Sequence, residues 1–120
     1  TLVRCADLMD VAYRACLEGA ATSVQTQTGY TYTLTLSEER TRQAAIAIAP
    51  DAEKLNVQYL PGTIELDVQD GKITALRASV GGSVQVSIVD TQISISASFD
   101  FRTDLTKDNW PIPAAVREKL

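Results

Sequence analysis

Few groups in this 120-residue chain have the types and spacing to do chemistry. Glu65 and Asp67 stand two apart, the spacing that puts a carboxylate pair on one strand face for acid–base work. They alternate with Ile64, Leu66 and Val68, so the same pattern describes the solvent face of a half-buried strand, with nothing nearby in the sequence to shift a pKa. Asp100, Asp104 and Asp108 offer oxygen ligands, but without the alternating ligands and the glycine of a calcium loop. Serines 83, 87, 94, 96 and 98 recur too regularly for nucleophiles. The chain has no histidine, and its lysines fall only at 54, 72, 107 and 119, so no serine has an evident activating base. Gly81-Gly82 precedes no helix and cannot build a phosphate cradle. No catalytic, cofactor-binding or metal-ligating residue is assigned; the reading is non-enzymatic, with no cofactor.

Composition narrows the partners. Eleven basic and 15 acidic residues give a net charge of −4, with no basic cluster to displace counterions from nucleic acid or to meet an anionic membrane. Partners are therefore expected to be proteins, other chains or copies of this one. No apolar run reaches the ~18 residues of a membrane span. Cys5 and Cys16 lie eleven positions apart in one helical segment, a rise of roughly 16 Å at 1.5 Å per residue. A disulfide between them is excluded on that helix, and two buried thiols in a core helix are expected.

The elements follow from hydrophobic period. Residues 2–21 repeat apolar groups every three or four positions: Leu2, Cys5, Met9, Ala12 and Cys16, with Ala6, Tyr13, Leu17 and Ala20 beside them. Asp10 and Arg14 are spaced to pair on its polar stripe. Tyr30, Tyr32 and Leu34 alternate with threonines, a strand over about 30–36. Residues 37–60 are ambiguous. For 37–49, Ser37 as N-cap, an alanine-rich body and Pro50 as stop suit a helix, while Ile46 and Ile48 suit a returning strand. Pro61-Gly62 reads as a turn.

From Thr63 the pattern predicts a four-stranded antiparallel meander: 63–69, 72–80, 84–89 and 92–101. Asp70-Gly71 is a two-residue hairpin turn pairing Val68 with Ile73 and Leu66 with Ala75. A bulge at Ala75-Leu76 restores phase for Leu76, Ala78 and Val80. A three-residue loop, 81–83, sets Val80 against Val84. A turn at Asp90-Thr91 then sets Ile88 against Ile93, Val86 against Ile95 and Val84 against Ala97, with Ser87 facing Ser94 and Gln85 facing Ser96. The fold class is α+β, one domain over 1–120, with the opening helix covering the apolar face of the meander and a tail from Arg102, anchored by Trp110, ending in a short helix at 114–120.

A helix on an antiparallel meander resembles the globular head of type IV pilins, pseudopilins and TadE-like minor pilins, and residues 2–21, with Arg14-Ala-Cys-Leu-Glu-Gly-Ala-Ala21, look like the distal end of the pilin helix. The resemblance implies a structural or assembly subunit at the cell surface or outside the cell, with an apolar membrane anchor upstream of Thr1. It lacks the C-terminal cysteine pair of many pilins, since no cysteine follows Cys16. The expected interface is the helix face at Cys5, Met9, Ala12 and Cys16, together with the uncharged hydroxyl face at Ser87, Ser94 and Ser96. Gln25-Thr-Gln-Thr-Gly29 is similar to the Gln-x-Val-x-Gly hairpin of cystatins, with Gln27 at the apolar position, and would imply inhibition of cysteine proteases. A third reading, a binder of small apolar ligands, requires a cavity of about 300 Å³ between helix and sheet, lined by Tyr13, Tyr30 and Tyr32.

Overall fold

A computed structural model describes residues 5–18, 21–106 and 110–111. Helix α1 (Cys5–Leu17) leads into strands β1 (Ala21–Gln25) and β2 (Tyr30–Thr35). Helix α2 (Glu38–Ile48) and a 3-10 turn at Pro50–Lys54 follow, then β3 (Gln58–Gln69), β4 (Lys72–Ile88) and β5 (Thr91–Asp104). The sheet is antiparallel with five strands in chain order. The α+β class and the antiparallel meander are as the sequence predicts; the number of strands and helices is not.

The helix reading of 37–49 is the correct one. Ser37 Oγ accepts from the Arg40 amide at 3.2 Å and Glu38 and Glu39 occupy the first turn, where backbone N–H groups favour negative charge. Among the described residues two helices, not one, therefore cover the sheet. Helix α1 packs on α2 and β2, while α2 lies on β3 and β4. Because α1 meets neighbours on two sides, its buried face is wider than the predicted stripe. Leu8, Val11 and Ala15 join Met9, Ala12 and Cys16 in the core, while Ala6 and Leu17 are exposed. Asp10 and Arg14 pair at 2.9 Å in water, and Arg40 of α2 pairs with Glu18 just beyond α1. The predicted helix stops short of Ala21, which opens β1; β-branched Thr22 and Val24 favour that strand. The expected helix at 114–120 lies outside the described residues.

Leu34, Ile64, Leu66, Val68, Ile73, Leu76, Ala78 and Val80 form the sheet side of the core. Asp70 and Gly71 take φ of 52° and 75°, the left-handed pair that such a turn requires, and Val68 meets Ile73 as predicted. The bulge falls one residue earlier than expected. Asp67 pairs with Ala75 and Val68 with Ile73, so Thr74 is the extra residue and Leu66 meets Leu76 instead of Ala75. The phase correction is the one the apolar pattern demanded.

Two glycine sites depart from prediction. Pro61-Gly62 is no turn but a register break inside β3. Proline, lacking an N–H, is tolerated at such a break, and the break turns the Gly62 amide out of the ladder to donate to Thr41 Oγ1 of α2 at 2.9 Å. Gly81-Gly82 is no loop either, and Val80 does not meet Val84. Residues 72–88 run as one strand, Gly81 and Gly82 pairing with Leu60 and Tyr59 on one side and Ser98 and Ala97 on the other. A Cβ on Gly82 would sit 2.6 Å from the Gln58 carbonyl and 2.8 Å from a Val57 methyl, so the glycine is needed for close approach. The final hairpin turns at Val89-Asp90, pairing Val86 with Ile93, Val84 with Ile95 and Gln85 with Ser94. This slips the predicted register by two residues. An even slip keeps every side chain on its predicted face.

Beyond Asp104, Leu105 and Trp110 lie on the core. Leu105 is buried and its amide donates to the Thr74 carbonyl at 2.8 Å, while the Ile73 amide donates to the Trp110 carbonyl at 2.9 Å and Pro111 bridges to Lys72. Trp110 packs against the core, the anchor expected of it.

Candidate functional site

Strand β3 starts at Gln58, which pairs with Ser83. Past that pair, β4 has a neighbour on one side only, and 84–95 continues as a two-stranded ribbon. Five further residues per strand at ~3.3 Å each extend it by roughly 17 Å, in a molecule measuring 57 × 27 × 24 Å. Strand parity keeps Val84, Val86, Ile88, Ile93 and Ile95 on the side that carries the helices further down the sheet. Here no helix among the described residues covers them. Ile88 is 53% exposed, Ile93 40% and Ile95 53%. Asp90 is the only charged residue between 84 and 95. At the tip Val89 is 94% exposed and holds a φ of 56°, a left-handed conformation that β-branched side chains disfavour.

The opposite side of the ribbon presents Ser87, Ser94 and Ser96, all exposed, as expected of a hydroxyl face. The helix-face residues fare differently. Met9, Ala12 and Cys16 are at most 1% exposed, so their contacts are made inside this chain and leave no surface for a neighbour. Cys5 lies in α1, with its side chain outside the described residues. The sequence reading thus placed the hydroxyl face correctly. It overlooked the apolar face as a surface because a four-stranded meander would have buried it.

The uncovered sheet face holds one polar cluster. Arg77 on β4 donates to both oxygens of Asp67, each at 2.8 Å, and through Nε to Glu65 at 3.4 Å; Thr31 donates to Asp67 at 2.9 Å. The sequence reading found nothing near these carboxylates to move a pKa. Arg77 does so, since its hydrogen bonds hold the Asp67 carboxyl below its usual range. Through these hydrogen bonds Arg77 clamps β4 to the Asp67 and Glu65 side of β3. Asp100 accepts from Ser79 at 2.7 Å, Asp104 accepts from the amide and hydroxyl of Thr106, and no cluster of metal-ligating side chains occurs among the described residues.

The stability profile against pH follows from Asp67 on the acid side and, on the alkaline side, from Cys16 together with Tyr13, Tyr32 and Tyr59, whose phenols burial also pushes up. Asp67 has a depressed folded pKa, so its contribution is complete above the unfolded carboxylate value and is lost as pH falls through the folded one. Burial pushes the Cys16 thiol up to about 11, so its contribution is complete below the ordinary thiol value and is lost as pH rises through 11, roughly 3 kcal/mol in all. Urea titrations from pH 3 to 11 are expected to show a plateau between about 5 and 8 with a fall on each side. Asp67→Asn should flatten the acid limb. A step near pH 6.5 would contradict this reading, because the chain has no histidine.

The space between helices and sheet is filled by Leu8, Met9, Leu34, Leu36, Ile64, Ile73 and Leu76, all nearly inaccessible. Tyr13 and Tyr32 pack against that cluster, and Tyr30 and Tyr32 stack with centroids 6.0 Å apart. The larger concavities are open surface depressions, such as one of about 880 Å³ walled by Ser37, Glu39, Arg42, Val57, Tyr59 and Ser83. Thr26, Gln27 and Thr28 sit exposed in the β1–β2 loop, where Thr28 Oγ1 accepts from Gln69 at 2.9 Å. No helix of the described residues is long and apolar enough to cross a membrane. Comparison with protein-family models, curated proteins and solved structures returns no match.

Proposed function

We propose that this chain is a non-enzymatic assembly subunit, in the manner of the globular head of a pilin-like surface filament or secretion apparatus, and that the β4–β5 ribbon is its docking element. One observation carries the reading: an apolar ribbon face stands clear of the body, with nothing among the described residues over it. A lone two-stranded ribbon is marginal in water, and exposed aliphatic side chains in a contiguous row mark interaction surfaces. The uncharged opposite face adds to it, since solvated strands ordinarily carry Lys or Glu against unwanted pairing. The filled core gives no support to a small-ligand binder, and the inhibitor reading keeps only its exposed loop. At the helical end the likeness to pilins is one of layers alone, because β1, β2 and α2 intervene between α1 and the last three strands.

The test is sedimentation velocity across a hundredfold concentration range on the protein and on Ile93→Asp/Ile95→Asp. The parent is expected to associate. The variant should associate more weakly than the parent with unchanged circular dichroism, because both side chains lie outside the core. A parent that remains monomeric throughout would overturn the proposal.

A further inference from the structure

We infer that the partner is a second copy of this chain, joined edge to edge through β5 in antiparallel register about a two-fold axis at Phe101. The inference rests on the assembly reading above and adds to it a contact along the edge of β5 over 98–104, while Ile93 and Ile95 lie beyond those pairs and serve the ribbon's own contact. β5 is the open edge of the sheet on the described residues and runs 14 residues; the other edge, β1, has five. An edge is normally protected by shortness, proline or lysine. β1 is short, whereas β5 has neither proline nor lysine and no charge from 91 to 99.

Parity and charge select the register. A two-fold axis through a residue pairs odd positions with odd, continuing the apolar side of one copy into that of the other. An axis between residues would set apolar against hydroxyl. On the outer face β5 carries Asp100, Arg102 and Asp104. Arg102 lies directly opposite Arg77, a like-charge pair that disfavours the sheet as it stands. The carboxylates that serve Arg77, Glu65 and Asp67, lie on its other side, and no ion pair or hydrogen bond of Arg102 occurs among the described residues. With the axis at Phe101, Arg102 of each copy faces Asp100 of the other, at the ~5 Å Cβ spacing of cross-strand neighbours. Asp100 gives one oxygen to Ser79, leaving the second for this contact. An axis at Arg102 would set arginine against arginine. One at Thr103 also matches charges but pairs only 102–104, against 98–104 for Phe101. One at Ser98 overlaps further yet leaves Arg102 facing Ser94.

Charge reversal tests it. By sedimentation velocity, Arg102→Glu and Asp100→Arg are each expected to weaken the dimer roughly a hundredfold, because each juxtaposes like charges twice across the axis. Arg102→Lys should retain it. Mixing R102E with D100R should restore a heterodimer, and the double variant should regain the homodimer. Arg102 is exposed, so R102E should fold as the parent does, which circular dichroism checks. If R102E dimerises like the parent while Ile93→Asp/Ile95→Asp does not, the register is wrong and the assembly reading stands. If the parent itself never dimerises, both fall.

Discussion

Gly62→Ala is expected to cost about 3 kcal/mol or more and to lower the thermal midpoint by roughly 10 °C. The added Cβ would lie 2.5 Å from the Ser79 carbonyl oxygen, which belongs to the β4 backbone and cannot swing aside. It would also press on the Thr41 methyl at 3.2 Å. Thr41 is the one fully buried polar side chain among the described residues. Its hydroxyl donates to the Ser37 carbonyl at 2.8 Å and accepts from the Gly62 amide at 2.9 Å, satisfying a buried N–H that the strand ladder has given up. Thr41→Val preserves shape but orphans that amide, which should cost about 2 kcal/mol. The two changes act on one contact, so their double variant should be less destabilised than the sum. A Gly62→Ala midpoint within 2 °C of the parent would show that the α2–β3 junction is not held in this way.

Leu34→Ala is the second large effect, about 3 kcal/mol by urea unfolding. Leu34 pairs with Ile64 at the centre of the sheet and is wholly inaccessible, so truncation leaves a cavity that rigid strands on either side cannot close. Ile95→Ala removes a similar side chain from the ribbon, where half its surface already meets water. Its cost to folding should stay near 0.5 kcal/mol, while association weakens. The pair of variants separates the apolar residues that build the domain from those left for a partner. Equal destabilisation by both would place the ribbon within the cooperative core and remove the basis for a docking role.

The polar cluster at Arg77 shows how sequence spacing and function can part company. Glu65 and Asp67 have the spacing of a catalytic pair, yet the neighbour that decides their behaviour sits ten residues on, across a hairpin. Only strand pairing brings its guanidinium over both. Side-chain chemistry was visible in the chain; the partner that neutralised it was not.

Local period and turn chemistry were enough to specify the amphipathic opening helix, the tyrosine–threonine strand, the Asp70-Gly71 turn and which side of each late strand is apolar. These depend on residues a few positions apart. They survive errors of register, as the two-residue slip at Val89-Asp90 demonstrates. Whether 37–49 coiled or extended, and whether Pro61-Gly62 and Gly81-Gly82 broke their strands, depended on contacts from distant segments. Glycine signals a turn and a close approach with the same letter. Only the packing of Val57 and Gln58 over Gly82, and of Thr41 on Gly62, chose between them. The same holds for the candidate site. The isoleucines of the ribbon are as apolar as those of the core, and they became a surface because β3 ends where β4 and β5 do not.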